Sequence, residues 1–391
     1  MKSKSWIIKG FVFIFVAFLI FPNAGLFRGE KNVAMIAKEN RKITAFPKSS
    51  PKEKGFYTNF EKWYQDRLRY RDKMIGLWTR VNFSMGVVLK DHIFVGERGW
   101  LFNKNRFIKD FRDPDTKILR IKALQEYCNR QGKNFIFFVA PPKESVYEDY
   151  FPQREQNKQK RYLRLEEQLI ELCKMRGVNY LPIGNDVMNK RYSGNDDLFF
   201  HDDHHWSYYG SVIGAKLLLE RMAIYTNAID NFRIVLDGSK VDAFKEYSYA
   251  RELGLPRNSN TVAPWNKHFT DEIYVTSSID GKTIKVDKIL SNDILWGRIV
   301  RGEAIIENKA IDKGITVLFL GDSSGSYMMP YVSQKVKRII STHYRDCVDK
   351  KKSVDIGRLM KQYKPDVVVL EMGGPGFFNS KGDTNFKNMV F

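Results

Sequence analysis

The sequence predicts an α/β fold with a central, mainly parallel sheet flanked by helices. Near-continuous apolar runs at Asn134–Val139, Gly314–Leu320 and Asp366–Leu370 have the length and composition of strands buried on both faces. Between them lie segments with apolar residues three and four apart, among them Lys117–Arg130, Arg161–Met175 and Val354–Tyr363, as helices covering such a sheet require. Pro141-Pro142 and Gly321 each cut off a strand pattern abruptly, which is where a turn at the carboxyl edge of the sheet is expected.

At 391 residues the chain can bury one substantial core plus an insertion, or form two domains. A hydrophobic content of 43% with 28% charged residues excludes a disordered chain. The 65 basic and 45 acidic residues leave a net charge of +20, which favours anionic surroundings. The basic residues are spread along the chain without a nucleic-acid module, so nucleic acid is not expected as a partner, whereas anionic lipid or an acidic cell-surface polymer fits. Cys128, Cys173 and Cys347 are too few and too far apart for a disulfide framework or a Cys-rich metal site, and the first two are expected as buried thiols.

Taken in order, Lys2, Lys4 and Lys9 accompany the apolar stretch Trp6–Phe21, so residues 1–30 are expected to form a signal anchor with Lys9 reaching the cytoplasmic interface. A cleaved signal peptide is the alternative, although Pro22–Leu26 has no clean Ala-x-Ala site. Residues 31–391 would then form one domain on the extracytoplasmic face. Phe60, Trp63, Tyr64, Leu68, Ile75 and Trp78 recur at helical spacing and predict an amphipathic helix lying over the sheet. Short strands are expected at Val87–Phe94 and Gly99–Phe102, a further strand at Val178–Ile183, and an irregular segment at Asn185–Phe200.

The helical pattern Tyr208–Met222 is followed, at about 227–301, by short alternating runs and the turns Asp237-Gly238 and Asp280-Gly281, which predict an inserted β-rich region. There Trp265 and Trp296 are either sugar contacts or core residues. A helix at Ser324–Val336 and a strand at Lys337–Ser341 complete the sheet pattern, and no internal repeat is present.

Two polar clusters carry the chemistry. Ile315–Tyr331 reads as a buried strand, a glycine turn and a helix, which sets Ser323 at the carboxyl edge of the sheet. Gly321-Asp322-Ser323 by itself is also an ordinary capped turn. Far upstream, Phe200-His201-Asp202-Asp203-His204-His205-Trp206-Ser207 supplies the imidazole and carboxylate that a serine nucleophile needs.

Asp203-x-His205-Trp206-Ser207 upstream of Gly321-Asp322-Ser323 resembles the alginate O-acetyltransferases of the AlgJ and AlgX type, whose domain is similar to an SGNH hydrolase with permuted catalytic blocks. Glu39-Asn40-Arg41 with Phe46-Pro47, Gly96-x-x-Gly99-Trp100-Leu101-Phe102, Pro141-Pro142-Lys143-Glu144 with Tyr147, and Pro365–Val369 match the same family in its order. The resemblance implies Ser323 as nucleophile, His205 as base and Asp203 as the residue that orients it. It implies acetyl transfer to a hydroxyl of an extracytoplasmic polysaccharide, with an unidentified acetyl donor, no cofactor and a membrane-bound acyltransferase as partner. Two departures stand out: Ser324 replaces a frequent aromatic, and Met372-Gly373-Gly374-Pro375-Gly376 replaces a Glu-Arg pair. The carbohydrate-binding module of AlgX-like members is not expected here.

The amides of Ser323 and of Gly373 or Gly374 are the oxyanion-hole candidates, and Lys143, His201, His204, Trp100, Trp206 and Tyr327 the substrate-binding candidates. Asp202-x-x-His205 has the spacing of ordinary SGNH hydrolases and Asp203-x-His205 that of the acetyltransferases, so Asp203 is preferred. Adjacent ligands in 201–205 converge poorly, and no catalytic metal is expected. An acetylesterase and an inactive glycan-binding or assembly protein are the rival functions.

Overall fold

The computed structural model describes residues 2–23, 44–48, 50–68, 71–194, 197–226, 232–245, 247–255, 260–278, 281–285, 303–343, 354–382, 386 and 389–391. Trp296, Cys347 and Glu39-Asn40-Arg41 lie outside the described residues. The chain divides into two compact units, residues 1–90 with 251–256, and 91–250 with 257–391.

The first unit contains helices α1 (Lys2–Asn23), α2 (Phe56–Arg67) and α3 (Arg71–Ser84). No helix among the described residues is long and apolar enough to cross a membrane, so the expected anchor gains no support. On α2 the aromatic stripe packs on itself: the Phe60 and Trp63 rings are 5.4 Å apart, and Phe46 meets Trp63 edge-on at 5.0 Å. Buried Arg67 donates to the Thr44 carbonyl at 3.0 Å. On α3 the structure departs from expectation, because Ile75, Leu77 and Trp78 are 43%, 58% and 61% exposed while Gly76, Thr79 and Asn82 are buried. The inward face is instead small and polar: a Cβ on Gly76 would lie 3.3 Å from the Gly254 carbonyl, and Thr79 and Asn82 bond back to the carbonyls of Ile75 and Trp78.

The second unit begins with an antiparallel pair, β1 (Ile93–Val95) and β2 (Leu101–Asn103), and continues through α4 (Pro114–Arg130), β3 (Asn134–Ala140), α5 (Lys143–Val146), α6 (Tyr162–Arg176), α7 (Gly184–Ser193) and α8 (Tyr208–Thr226). Next come β4 (Lys240–Phe244), α9 (Ser248–Glu252), β5 (Asn260–Pro264), β6 (Ile273–Ser277), β7 (Thr283–Lys285) and β8 (Ala304–Asn308). The last part holds β9 (Thr316–Gly321), α10 (Ser323–Ser326), α11 (Met329–Val332), β10 (Arg338–His343), β11 (Val354–Asp355), α12 (Ile356–Tyr363), β12 (Val367–Gly373), α13 (Gly374–Asn379) and β13 (Met389–Val390).

Seven strands form the main sheet in the order β3-β12-β9-β10-β8-β6-β7. The first four are mutually parallel and the last three join antiparallel. Residues 367–373 of β12 are all buried, as a strand covered on both faces must be, whereas β6 and β8 alternate between buried and half-buried positions. Strands from the expected insertion thus divide: β6 and β7 extend the sheet as its antiparallel edge, and among the described residues β4 pairs with β5 alone.

Four local expectations are corrected. Val178–Ile183 pairs with β3 at the isolated bridge Phe137–Tyr180 and through the Asn179 side-chain amide on the Phe135 carbonyl, and forms no ladder among the described residues. Residues 185–193 belong to helix α7. The strand expected over Val87–Phe94 begins only at Ile93. The helix after Ser323 breaks into α10 and α11, because Pro330 has no N–H to continue it.

Register is what assembles the site. Gly373 pairs with Ala140 and Val369 with Phe319, so β3, β12 and β9 end along one edge, and Lys143, Gly374 and Ser323 follow there. The 200–205 turn is closed by the Phe199–Trp206 bridge and by Phe200 N–H donating to the His205 carbonyl at 3.2 Å. Gly210 lets α8 approach it, since a Cβ there would run into the Leu198 carbonyl. In an ordinary helix Gly→Ala gains about 1 kcal/mol. For G210A we expect the opposite, a loss on the order of 1–3 kcal/mol from overpacking, read as a lower urea midpoint.

Candidate active site

Asp203 is fully buried, and both oxygens of its carboxylate are hydrogen-bonded. Oδ1 accepts the His205 backbone N–H at 2.8 Å and lies 2.6 Å from His205 Nδ1, while Oδ2 accepts the Ser248 amide. Burial works against ionisation, yet the His205 and His204 imidazoles and these hydrogen bonds hold the carboxyl well below the usual carboxylate range. Asp202 is turned away: its carboxylate pairs with Lys245 at 3.0 Å, and its carbonyl accepts the amides of Tyr249 and Ala250. Of the two adjacent acids, Asp203 holds the imidazole.

With Nδ1–H donating to Asp203, His205 presents Nε2 as an acceptor. That nitrogen is buried and has no hydrogen-bond partner among the described residues. The nucleophile turn approaches it through Tyr327, whose ring is 5.3 Å from that of His205. Ser323 is half-buried and makes no hydrogen bond to Nε2.

Asp322 shapes that turn. It caps α10 by accepting the Ser324 amide at 2.8 Å, accepts the Gly373 amide at 3.2 Å, and donates its own N–H to Glu371 Oε2 at 2.7 Å. Gly321 is not at positive φ. It is needed for space, because the Phe319 ring and the Glu371 carboxyl lie directly against it. Burial, followed by the Asp322 charge, raises the Glu371 carboxyl well above the usual range. Sequence reading missed Glu371, which looks like one more residue of a buried strand.

Several candidates occupy other roles. The Gly373 amide is engaged by Asp322 and is no oxyanion donor, whereas Gly374 sits at the shared edge, its Cβ position 3.0 Å from Pro142 and 3.1 Å from the Ala140 carbonyl. Trp100 is 1% exposed and stacked 4.3 Å from both Tyr147 and His201, so it offers no face to a sugar. Trp206 is buried and donates to the Pro141 carbonyl at 3.3 Å. Tyr327 is buried and forms a wall behind His205. Lys143 is buried with its ammonium on four carbonyl oxygens, not on a substrate path. Burial pushes it down to about 7, against the pull of Glu144, Asp203 and Asp202. His201 stays exposed and pairs with Asp197 at 2.6 Å, and half-buried His204 faces Ser248 Oγ at 3.0 Å.

Trp265 packs edge-on against Phe269 at 5.0 Å, and Cys128 and Cys173 are buried thiols pushed up to about 12 by burial. Asp203, His204 and His205 bring potential metal-ligand atoms within 4.8 Å of one another, but the Nδ1 atoms of both histidines already face hydrogen-bonding oxygens. A metal bound through those Nδ1 atoms would have to displace these contacts.

Residues 93–231 match the family model described as the SGNH hydrolase-like domain of the acetyltransferase AlgX. Among solved structures, PatB1 of Bacillus cereus with a sulfonyl adduct superposes at a TM-score of 0.56 and 14% identity, covering 75% of this chain and 97% of that one. A DHHW family protein from Eubacterium siraeum superposes at 0.54 and 15% identity, covering 78% and 98%. This chain itself reads Asp-His-His-Trp at 203–206. The O-acetyltransferase domain of Pseudomonas putida AlgJ matches at 0.44 and 13% identity, covering 75% and 95%. No curated protein matches the sequence. The family-model match and the superpositions on PatB1 and the Eubacterium siraeum protein establish the SGNH hydrolase-like fold.

The raised Glu371 carboxyl makes a stability prediction. Its folded value lies above its unfolded value of about 4.3, so its contribution is complete below that pH and is lost as pH rises toward the folded value. Glu371→Gln, neutral throughout, is expected to gain on the wild type between pH 4 and pH 8 in urea midpoint. Parallel pH curves for the two proteins would show that the carboxyl is not shifted.

Proposed function

We propose that this protein is a polysaccharide O-acetyltransferase that carries the acetyl group on Ser323 and works outside the cytoplasm. The observation that supports it best is the Asp203–His205 pair, with Nδ1 held at 2.6 Å and Nε2 buried without a partner beside the Ser323 turn. The AlgX family-model match at 93–231 points to the same chemistry.

In this reading His205 Nε2 takes the Ser323 proton as Oγ bonds to the acetyl carbonyl carbon of the donor. The carbonyl electron pair moves onto oxygen, and the Ser323 and Gly374 amides are the donors proposed for that oxyanion. Collapse expels the donor's leaving group, which takes the proton back from His205, and acetyl-Ser323 remains. A sugar hydroxyl then loses its proton to His205 while attacking the acetyl carbon, and Ser323 leaves reprotonated. Asp203, ionised throughout, stabilises the imidazolium at each stage. Ser323 and His205 must close to hydrogen-bond distance when the donor binds, as catalytic contacts often do.

The partner arrangement belongs to the same proposal: a membrane-bound acyltransferase supplies the acetyl group, and the N-terminal helix serves as the anchor. Exposed Ile8, Phe11, Phe13 and Ile14 are the residues of α1 that would meet the bilayer in this proposal, although no described helix is long and apolar enough to cross it.

The test incubates purified protein with an activated acetyl ester and a panel of charged and neutral oligosaccharides, then weighs protein and products by mass spectrometry. An acetyl adduct on Ser323 and mass gain on one glycan are expected. Acetate release without glycan modification would identify an esterase, and no adduct with an activated acetyl or sulfonyl probe would leave a binding protein. S323A and H205A should each lose acetyl transfer by at least ~10³-fold with the circular-dichroism spectrum unchanged. Normal activity in either folded variant rejects the serine mechanism, and activity restored by one metal after chelation replaces it with metal catalysis.

A further inference from the structure

Two consecutive charged residues, Lys143 and Glu144, are completely buried. Burying a charge is costly unless it is paired and hydrogen-bonded. Both side chains reach groups that surround Asp203. The Lys143 ammonium donates to the carbonyl oxygens of Leu101 and Phe200 at 2.7 Å, of His201 at 2.8 Å and of Asp203 at 2.9 Å. Four acceptors converge on a group with three N–H bonds, an arrangement closer to ion coordination than to a single surface contact. The rings of Trp100, Phe102 and Tyr249, at 5.1, 5.1 and 5.5 Å, enclose the remaining sides. Charged groups facing Lys143 are Glu144 from its own helix, Asp202 and Asp203 from the turn, and Lys245 beyond them.

Glu144 works on the opposite side. Its Oε1 accepts the Asn103 amide at 3.1 Å and the Tyr249 hydroxyl at 2.7 Å. Tyr249 directly follows Ser248, whose amide donates to Asp203 Oδ2. One arm therefore fixes the peptide planes of the 200–203 turn, from which the Asp203 side chain departs. The other fixes the segment that donates to the far oxygen of the same carboxylate.

We propose that Lys143 is a positioning residue for the Asp203–His205 pair, acting through the carbonyls of the 200–203 turn, with Glu144 and Tyr249 as a second arm through Ser248. It rests on the proposed function only for its kinetic readout. The His205 Nδ1–H···Asp203 hydrogen bond gives a readout that needs no turnover, a downfield proton resonance identified by its loss in D203N.

The full chain is compared with K143M, which keeps the side-chain length without the charge, and with Y249F, which removes only the hydroxyl on Glu144. In folded K143M the downfield resonance is expected to broaden or vanish, and kcat to fall about 10–100-fold, the usual cost of losing a supporting contact, with KM within about twofold. Lys143→Cys, made in a chain whose Cys128, Cys173 and Cys347 are replaced by alanine and compared with that same background, restores an ammonium at that site when alkylated with bromoethylamine in denaturant and refolded, and should recover both. Y249F should shift the resonance and lower kcat about 10-fold, and it tests the second arm if K143M does not fold. An unchanged resonance and kcat in folded K143M, an unchanged Y249F, or an alkylated chain that folds without recovery overturns the proposal. If the resonance responds while no variant or wild type transfers acetyl, the positioning role stands and the proposed activity falls.

Discussion

The buried carboxylate of Asp203 is the constraint around which the site is arranged. A charge removed from water needs its lone pairs filled, and donors come from two distant parts of the chain: the His205 amide and imidazole two residues away, and the Ser248 amide across the fold. These contacts set the imidazole tautomer, because an Nδ1–H directed at Oδ1 leaves the lone pair on Nε2. The low-dielectric surroundings that make the charge costly also strengthen each hydrogen bond to it. Lys143 and Glu144 extend the same network outward until it reaches the strand pair β1 and β2 at Leu101 and Asn103.

A second carboxyl pair supports the serine turn and shows the opposite electrostatics. Asp203 faces imidazoles and N–H donors and stays ionised. Glu371 is just as buried, and burial together with the Asp322 charge raises its carboxyl well above the usual range. The Asp322 N–H donating to Glu371 joins strand β12 to the turn, with the Phe319 ring filling the space that Gly321 and Gly325 leave open. One end of the sheet thus holds an acid shifted down beside the histidine and an acid shifted up beside the serine turn.

How much of this was legible depended on whether the signal was periodic or positional. The strands β3, β9 and β12 stood out because burial on both faces leaves an unbroken apolar run. Helix α3 misled for the converse reason: its spacing marks an apolar face, but spacing does not say whether that face turns inward, and Gly76 against Gly254 turns the other face in. The aromatic residues Trp100, Trp206 and Tyr327 have the right type for sugar contact, yet each is spent on packing beneath the site.

By itself the sequence determined the strand-and-helix order, the placing of a serine at a sheet edge, and the presence of a His/Asp cluster to serve it. All of these follow from residue type and local spacing. Only the tertiary structure decided which acid meets the imidazole, that the Gly373 amide is committed to Asp322, and that Lys143 is a buried support. Those outcomes depend on backbone amides and carbonyls, which every residue carries alike, and on contacts such as Lys143 to Asp203 and Asp203 to Ser248 that close only when distant segments pack.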